Sequence, residues 1–324
     1  MILAGDVGGT KTALGLFEPG PPMRVVRMER YHSGGYPCLE AILDAFLPPG
    51  SGVVSAAAFG VAGPIRKGVV DPTNLAWSVD GTSLARRLGL AEVALLNDLE
   101  ATAWSLDLLG PEDCAILHEG TPEPGGSQAI LAAGTGLGVA EVVKVRGRTV
   151  PIASEGGHAD FAPRTELELE LLRYLLRKFK RVSWERVLSG PGIVNLYEFL
   201  RDSGRWEEEP WVREALSGDQ AAAAITSAAE ARRSELCAQT LELFATLYGA
   251  EAGNLALRVL ATGGIFLAGG IAPKLLPWLR GPKFTDAFVT KGRLSPFIAA
   301  IPVRVILDEH APLRGVARRA CEGA

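Results

Sequence analysis

Cysteine is scarce and scattered in this chain, with Cys38, Cys114, Cys237 and Cys321 the only four in 324 residues. Their separations exclude zinc-ligand spacing and fit unpaired thiols in a reducing compartment. Basic runs are missing and the formal net charge is −4, so the chain lacks the electrostatic footprint of a nucleic-acid binder. No apolar run approaches the length of a bilayer span; the most hydrophobic window, Val259 to Ile271, is interrupted by Gly263-Gly264 and Gly269-Gly270. The N-terminal apolar stretch has no basic n-region and breaks at Gly5-Asp6, so no signal peptide is expected. These absences predict a cytoplasmic protein with neither nucleic acid nor membrane as partner.

Glycine, by contrast, is concentrated in two segments, Gly5-Asp6-Val7-Gly8-Gly9-Thr10 and Gly134-Thr135-Gly136-Leu137-Gly138. Each lies between apolar runs that read as strands, which predicts two β-hairpins whose turns expose backbone N–H groups and a threonine hydroxyl, a concavity suited to anionic oxygens. Ordinary glycine turns would look the same singly; the repetition favours two half-sites for one polyphosphate. Neither segment is a P-loop, which needs Lys-Ser/Thr entering a helix, and the dinucleotide fingerprint fails because a strand follows each turn.

The length and the 48% hydrophobic, 22% charged composition suit two medium domains. Strands are expected at Arg24 to Tyr31, Val53 to Val61 and Ala91 to Leu96, and helices from Pro37 to Leu47, stopped by Pro48-Pro49-Gly50, and from about Leu99 to Leu109. The alternation implies an α/β domain over 1–108. The pattern then restarts, as though by internal duplication, giving a larger α/β domain over 109–300, with 301–324 packing back on the first. In that second domain Thr165-Glu166-Leu167-Glu168 matches a capping box opening a helix to Phe179. Ser217 to Tyr248 reads as one alanine-rich helix, a strand spans Gly263 to Gly270, and a helix opens at Ala272-Pro273. A last strand, Pro302 to Leu307, precedes a closing helix from Ala311.

Several polar groups are placed for chemistry. Asn97-Asp98 ends a buried strand and begins a helix, where open α/β sheets present ligand groups. Both residue types are also preferred helix caps, so position alone leaves both readings open. A carboxylate there could accept a proton from a hydroxyl nucleophile. In Ser154-Glu155-Gly156-Gly157-His158 the two glycines permit a tight backbone that presents Glu155 and His158 to a polyol. Glu-x-x-His also occurs in carboxylate-bridged metal sites, but those need a helix and a second copy. Glu185 precedes a turn at Ser189-Gly190-Pro191-Gly192, and Lys11 follows the first glycine segment; either side chain could as well be merely solvated.

Taken in order, these stretches resemble the bacterial ATP-dependent glucokinase family, a branch of the hexokinase and actin-like ATPase superfold, over nearly the whole chain. The resemblance rests on the two glycine segments, Leu96-Asn97-Asp98, Glu155-Gly156-Gly157-His158-Ala159-Asp160, Glu185-Arg186-Val187-Leu188-Ser189-Gly190 and Ala268-Gly269-Gly270-Ile271. It implies a two-domain actin-like (ribonuclease H-like) α/β fold with duplicated β-hairpin phosphate loops. The implied activity is transfer of the ATP γ-phosphoryl group to the C6 hydroxyl of glucose, the first step of glycolysis. Asp98 is then the general base, and Asn97, Glu155, His158 and Glu185 bind the sugar hydroxyls. Gly5, Asp6, Val7, Gly8, Gly9, Thr10, Thr135 and Gly136 hold the phosphates, Gly269 and Gly270 lie against the adenosine, and Asp6 faces Mg2+ through water. A homodimer is also implied. Lys11 is shared with the related repressor and sugar-kinase family, but that family's zinc cysteines and N-terminal DNA-binding helices are absent, and Leu99-Glu100 departs from an expected aromatic. Kinases for another hexose or an amino sugar, a polyphosphate donor, and a non-catalytic sugar sensor are the alternatives.

Overall fold

Ile2–Val7 (β1) is apolar and buried on alternating and intervening positions alike except at Asp6, near its carboxyl end, as suits a strand covered on both faces. It pairs antiparallel with β2 (Lys11–Glu18) and parallel with β4 (Ala56–Val61). With β3 (Arg24–His32) and β8 (Ala94–Asn97) outside them, the sheet order is β3-β2-β1-β4-β8. Three short strands, β5 (Ile65–Arg66), β6 (Val69–Val70) and β7 (Val79–Asp80), make a separate small sheet.

These elements belong to the first of two compact units, which comprises residues 1–113, 149–153 and 308–324; the second comprises 114–148 and 154–307. The computed structural model describes residues 1–20, 23–47, 54–63, 65–72, 75–216 and 220–322. The helix stop expected at Pro48-Pro49-Gly50, the strand start at Val53 and the helix start at Ser217 lie outside the described residues.

In the first unit the side-chain alternation of the strands builds a core on each face of the sheet. Leu3, Leu14 and Phe59 meet Leu39, Ile42 and Phe46 of α1 (Leu39–Phe46) and Leu84 of α2 (Gly81–Leu88). Ile2, Ala4, Ala58 and Leu96 meet Ala101 and Trp104 of α3 (Asp98–Ser105) and Leu313 and Val316 of the C-terminal helix. That helix crosses α3 so closely that a Cβ at Gly315 would lie 1.9 Å from the Ala101 carbonyl oxygen.

The second unit repeats the local pairing. Its β10 (Gln128–Ala133) runs antiparallel to β11 (Leu137–Val145) and parallel to β13 (Gly264–Ala268). With β14 (Val303–Ile306) and β9 (Cys114–His118) the order is β11-β10-β13-β14-β9. Arg148–Ser154 is β12, mostly of the first unit. Helices α4 (Glu166–Leu175), α5 (Gly190–Asp202), α6 (Pro210–Ala215) and α7 (Ala221–Glu230) precede α8 (Glu235–Val259). After β13 come α9 (Leu276–Leu279), α10 (Pro282–Val289) and α11 (Ser295–Ala299), and the C-terminal helix α12 (Ala311–Glu322) belongs to the first unit. The 25-residue α8 is buried along most of its length, the pattern of a core helix rather than a surface one. No helix among the described residues is long and apolar enough to cross a membrane.

The structure corrects three local expectations. The single helix read from Ser217 to Tyr248 is two helices: Arg232 between them takes a left-handed backbone (φ 53°), and Ser234 restarts the chain by accepting the Cys237 N–H with its hydroxyl. From Asp219 to Tyr248 no glycine or proline marks that break. No helix opens at Ala272-Pro273; turns run to α9 at Leu276. The capping box at α4 is half formed: Thr165 accepts the Glu168 N–H, but the Glu168 carboxylate goes to the Arg164 N–H (2.6 Å) and guanidinium instead.

Candidate active site

The strand register of the first unit assembles one polar edge. Val7 stands beside Val61, and Val61 beside Asn97, so the carboxyl ends of β1, β4 and β8 are level. At this edge the β1–β2 turn is closed by the Gly8 N–H donating to the Lys11 carbonyl (2.9 Å). Ser33 braces it from behind: its N–H donates to the Thr10 carbonyl (3.0 Å) and its hydroxyl to the Gly8 carbonyl (2.8 Å). Ser33 is wholly buried and 25 residues from Gly8, and no sequence signal marked it. The segment's own residues divide their work. A Cβ at Gly5 would sit 2.3 Å from the Phe59 ring, so Gly5 is fixed by packing, and the Val7 side chain is buried in the core. Gly8 and Thr10 form the rim, with Thr10 exposed.

Asn97 caps α3, its side-chain oxygen accepting the Glu100 N–H at 2.5 Å. Asp98 begins the helix and is exposed, and one carboxylate oxygen accepts the Leu99 N–H at 2.9 Å. The capping reading therefore holds for Asn97, while Asp98 stays exposed to solvent. Asp6 keeps some solvent exposure, but protein surrounds its carboxyl; burial first and the Asp98 charge second push its pKa up to about 6, against a lowering by Arg30.

The sign of that shift gives a stability prediction for the metal-free protein. A carboxyl whose folded pKa exceeds its unfolded 3.8 costs nothing below about pH 4 and its full penalty above about pH 6. Asp6→Asn removes a cost of about 3 kcal/mol. The variant should melt higher than the parent at pH 8 and converge with it near pH 4. A lower Tm at pH 8 would show that the Asp6 charge is compensated.

In the second unit the β10–β11 turn is the hub. Tyr248, on α8, anchors β10 just before it, donating to the Leu131 carbonyl (3.0 Å) and accepting the Ala133 N–H (3.3 Å). The Gly134 N–H closes the turn on the Gly136 carbonyl (2.9 Å), and the Gly134 carbonyl accepts the Gly190 N–H at the head of α5 (2.8 Å). After β13 the chain approaches the same turn: Gly269 is left-handed (φ 80°), and a Cβ there would meet the Ala133 carbonyl oxygen at 2.4 Å. Gly134 and Gly270 by contrast face open space, and Thr135 is exposed.

Gly156 to His158 forms one 3-10 turn lodged against this hub, since a Cβ at Gly157 would lie 1.8 Å from the Leu137 carbonyl oxygen. The glycines thus permit the tight backbone expected of them. His158 Nε2 is 4.0 Å from Glu155 Oε2, and its Nδ1 is 3.9 Å from Glu185 Oε1. The His158 and Glu155 side chains are 58% and 89% exposed, so both are open to a ligand. Glu185 is more enclosed and also accepts the Leu137 N–H (3.1 Å). Of the residues read from the sequence, the first unit therefore brings together Asp6, Asn97 and Asp98, and the second Glu155, His158 and Glu185.

Beside the hub a cavity of about 930 Å³ opens within the second unit, lined by Gly134, Thr135, Gly190, Gly270, Lys274 and one side of α7 along its length. Its volume suits a nucleoside-sized ligand. Lys274, Thr226 and Glu230 line it and were not found from the sequence, which had no local motif around them.

A family model described as Glucokinase matches residues 3–322. The chain belongs to the glucokinase family. A glucokinase of Nostoc punctiforme is 43% identical over 98% of each chain. Among solved structures, a glucokinase from an Antarctic psychrotroph superposes with a TM-score of 0.88 at 28% identity, covering 99% of this chain and 98% of that one. A ROK-family glucokinase from Streptomyces griseus, solved with glucose and AMPPNP, shares the fold at a TM-score of 0.63 and 22% identity, with 99% of both chains covered. The sheets and helices described above are thus the α/β fold of glucokinases.

Proposed function

We propose that this member of the glucokinase family phosphorylates glucose, transferring the γ-phosphoryl group of MgATP to the C6 hydroxyl to give glucose 6-phosphate and ADP. The observation that carries the reading is an exposed carboxylate, Asp98, at the head of α3 in a chain that glucokinases match from end to end. Asp98 accepts the C6 hydroxyl proton as the oxygen attacks phosphorus. Asn97, Glu155, His158 and Glu185 bind the other hydroxyls. The turns at Gly8-Gly9-Thr10 and Thr135-Gly136 present backbone N–H groups to the phosphates, and the cavity beside Gly270 takes the adenosine. Phosphoryl transfer gains most from positioning and charge neutralisation, which fixed backbone dipoles supply without reorganising.

The residues present suit a magnesium ion carried in by the nucleotide. The Asp98 charge adds to the cost of ionising the Asp6 carboxyl, and a divalent cation would relieve that repulsion. Among the described residues no cluster of three or more His, Cys, Asp or Glu side chains could hold a metal alone, so Asp6 would hold the ion together with the nucleotide that carries it. When bound, the ion neutralises charge on the transferring phosphoryl group.

Sugar preference tests the reading. In a coupled assay with glucose, mannose, fructose, galactose and N-acetylmannosamine, glucose should have the highest kcat/KM, because sites built on hydrogen bonds to particular hydroxyls reject analogues strongly. Polyphosphate in place of ATP should give no turnover. A better sugar than glucose would assign another kinase, and sugar binding without ADP release a sensor.

A further inference from the structure

Glu185 stands where two functions meet. One carboxylate oxygen, Oε1, faces His158 Nδ1 at 3.9 Å; the other, Oε2, accepts the Leu137 N–H of the glycine turn at 3.1 Å. Its backbone is held independently, because the Ser189 hydroxyl that caps α5 also donates to the Glu185 carbonyl at 2.7 Å. A Cβ at Gly136 would lie 2.5 Å from Glu185 Oε2, and the next atom of that side chain is 3.4 Å away. Gly136 is not among the residues with positive φ, so a Cβ there would act on the Glu185 carboxylate, pushing it aside, rather than strain the backbone.

We propose that Glu185 is a positioning residue for the nucleotide as well as a sugar ligand: its carboxylate fixes the Gly136-Leu137 turn, and through that turn makes sugar and nucleotide binding interdependent. The inference rests on the functional reading above. A carboxylate that shifts to meet a sugar hydroxyl pulls on the Leu137 N–H, and a phosphate settling into the turn pulls on the carboxylate. Linkage requires the effect to be reciprocal, so glucose tightens the nucleotide by the same factor as the nucleotide tightens glucose. The Gln variant keeps an oxygen acceptor for the Leu137 N–H, whereas the Ala variant loses it.

The test measures AMPPNP binding with Mg2+ by calorimetry, without and with glucose, in the parent, Glu185→Gln, Glu185→Ala, Gly136→Ala and the Glu185→Ala/Gly136→Ala double variant. Thermal melting checks that each is folded. Without glucose, Glu185→Ala should weaken AMPPNP about 10-fold, the size of one lost charged hydrogen bond, and Glu185→Gln should restore most of it. Gly136→Ala should weaken AMPPNP in the parent but add nothing in the Glu185→Ala background, since the obstructing carboxylate is gone. Glucose should tighten AMPPNP in the parent and not in Glu185→Ala. Unchanged AMPPNP affinity in Glu185→Ala, or additive costs in the double variant, would overturn the proposal. A parent that binds neither glucose nor AMPPNP would instead overturn the functional reading.

Discussion

Asp98→Asn is expected to lower kcat with glucose and MgATP by roughly 100- to 10,000-fold, the range a positioned general base contributes, while glucose affinity falls little. The amide retains the oxygen that accepts the Leu99 N–H at 2.9 Å, so the local backbone should not move. What it loses is proton affinity, and a negative charge at the first position of α3, worth at most about 1 kcal/mol of stability at an exposed helix end. Steady-state kinetics with a parallel glucose titration separates the two effects. Near-normal kcat would remove Asp98 from the base role, and equal losses in kcat and glucose affinity would make it a sugar ligand only.

The second large effect concerns Gly157, which does no chemistry. Any Cβ there must displace the Leu137 carbonyl, only 1.8 Å away, and that carbonyl belongs to the strand leaving the glycine turn. Gly157→Ala should therefore cost about 2–3 kcal/mol by overpacking. It should also move His158 and the turn together, and a shift of about 1 Å in such a site costs on the order of 100-fold in kcat/KM. Gly134→Ala is the control from the same turn, because a Cβ there meets nothing within 4 Å. Denaturant melts and kcat/KM for both variants decide the matter. If Gly157→Ala is as stable and active as Gly134→Ala, the close approach is not a constraint on the site.

The parts legible in the sequence are those written locally. Each hairpin is announced by glycines between apolar runs, and the strand-to-helix junction at Asn97-Asp98 by a buried run followed by capping residue types. Contacts between segments distant in sequence left no such mark. Ser33 reaches Gly8 across 25 residues, and Glu185 reaches Leu137 across 48. The close approaches of Gly157 to Leu137 and of Gly269 to Ala133 are likewise invisible until the strands are laid side by side. Gly5 shows the reverse: within a glycine motif it reads as part of an anion cradle, yet its neighbour is the Phe59 ring, which alone excludes a side chain. The break between α7 and α8 turns on one left-handed residue, Arg232, in a run that is rich in alanine and has no glycine or proline near the break.

The most direct measurement is product identity. Purified protein with Mg2+, ATP and glucose, followed by phosphorus NMR, should yield ADP and glucose 6-phosphate in equal amounts. Replacing glucose with 6-deoxyglucose, which lacks only the attacking hydroxyl, should abolish ADP formation while the sugar still competes with glucose. Phosphate on another hydroxyl, or ADP formation that persists with 6-deoxyglucose, would contradict transfer to the C6 oxygen.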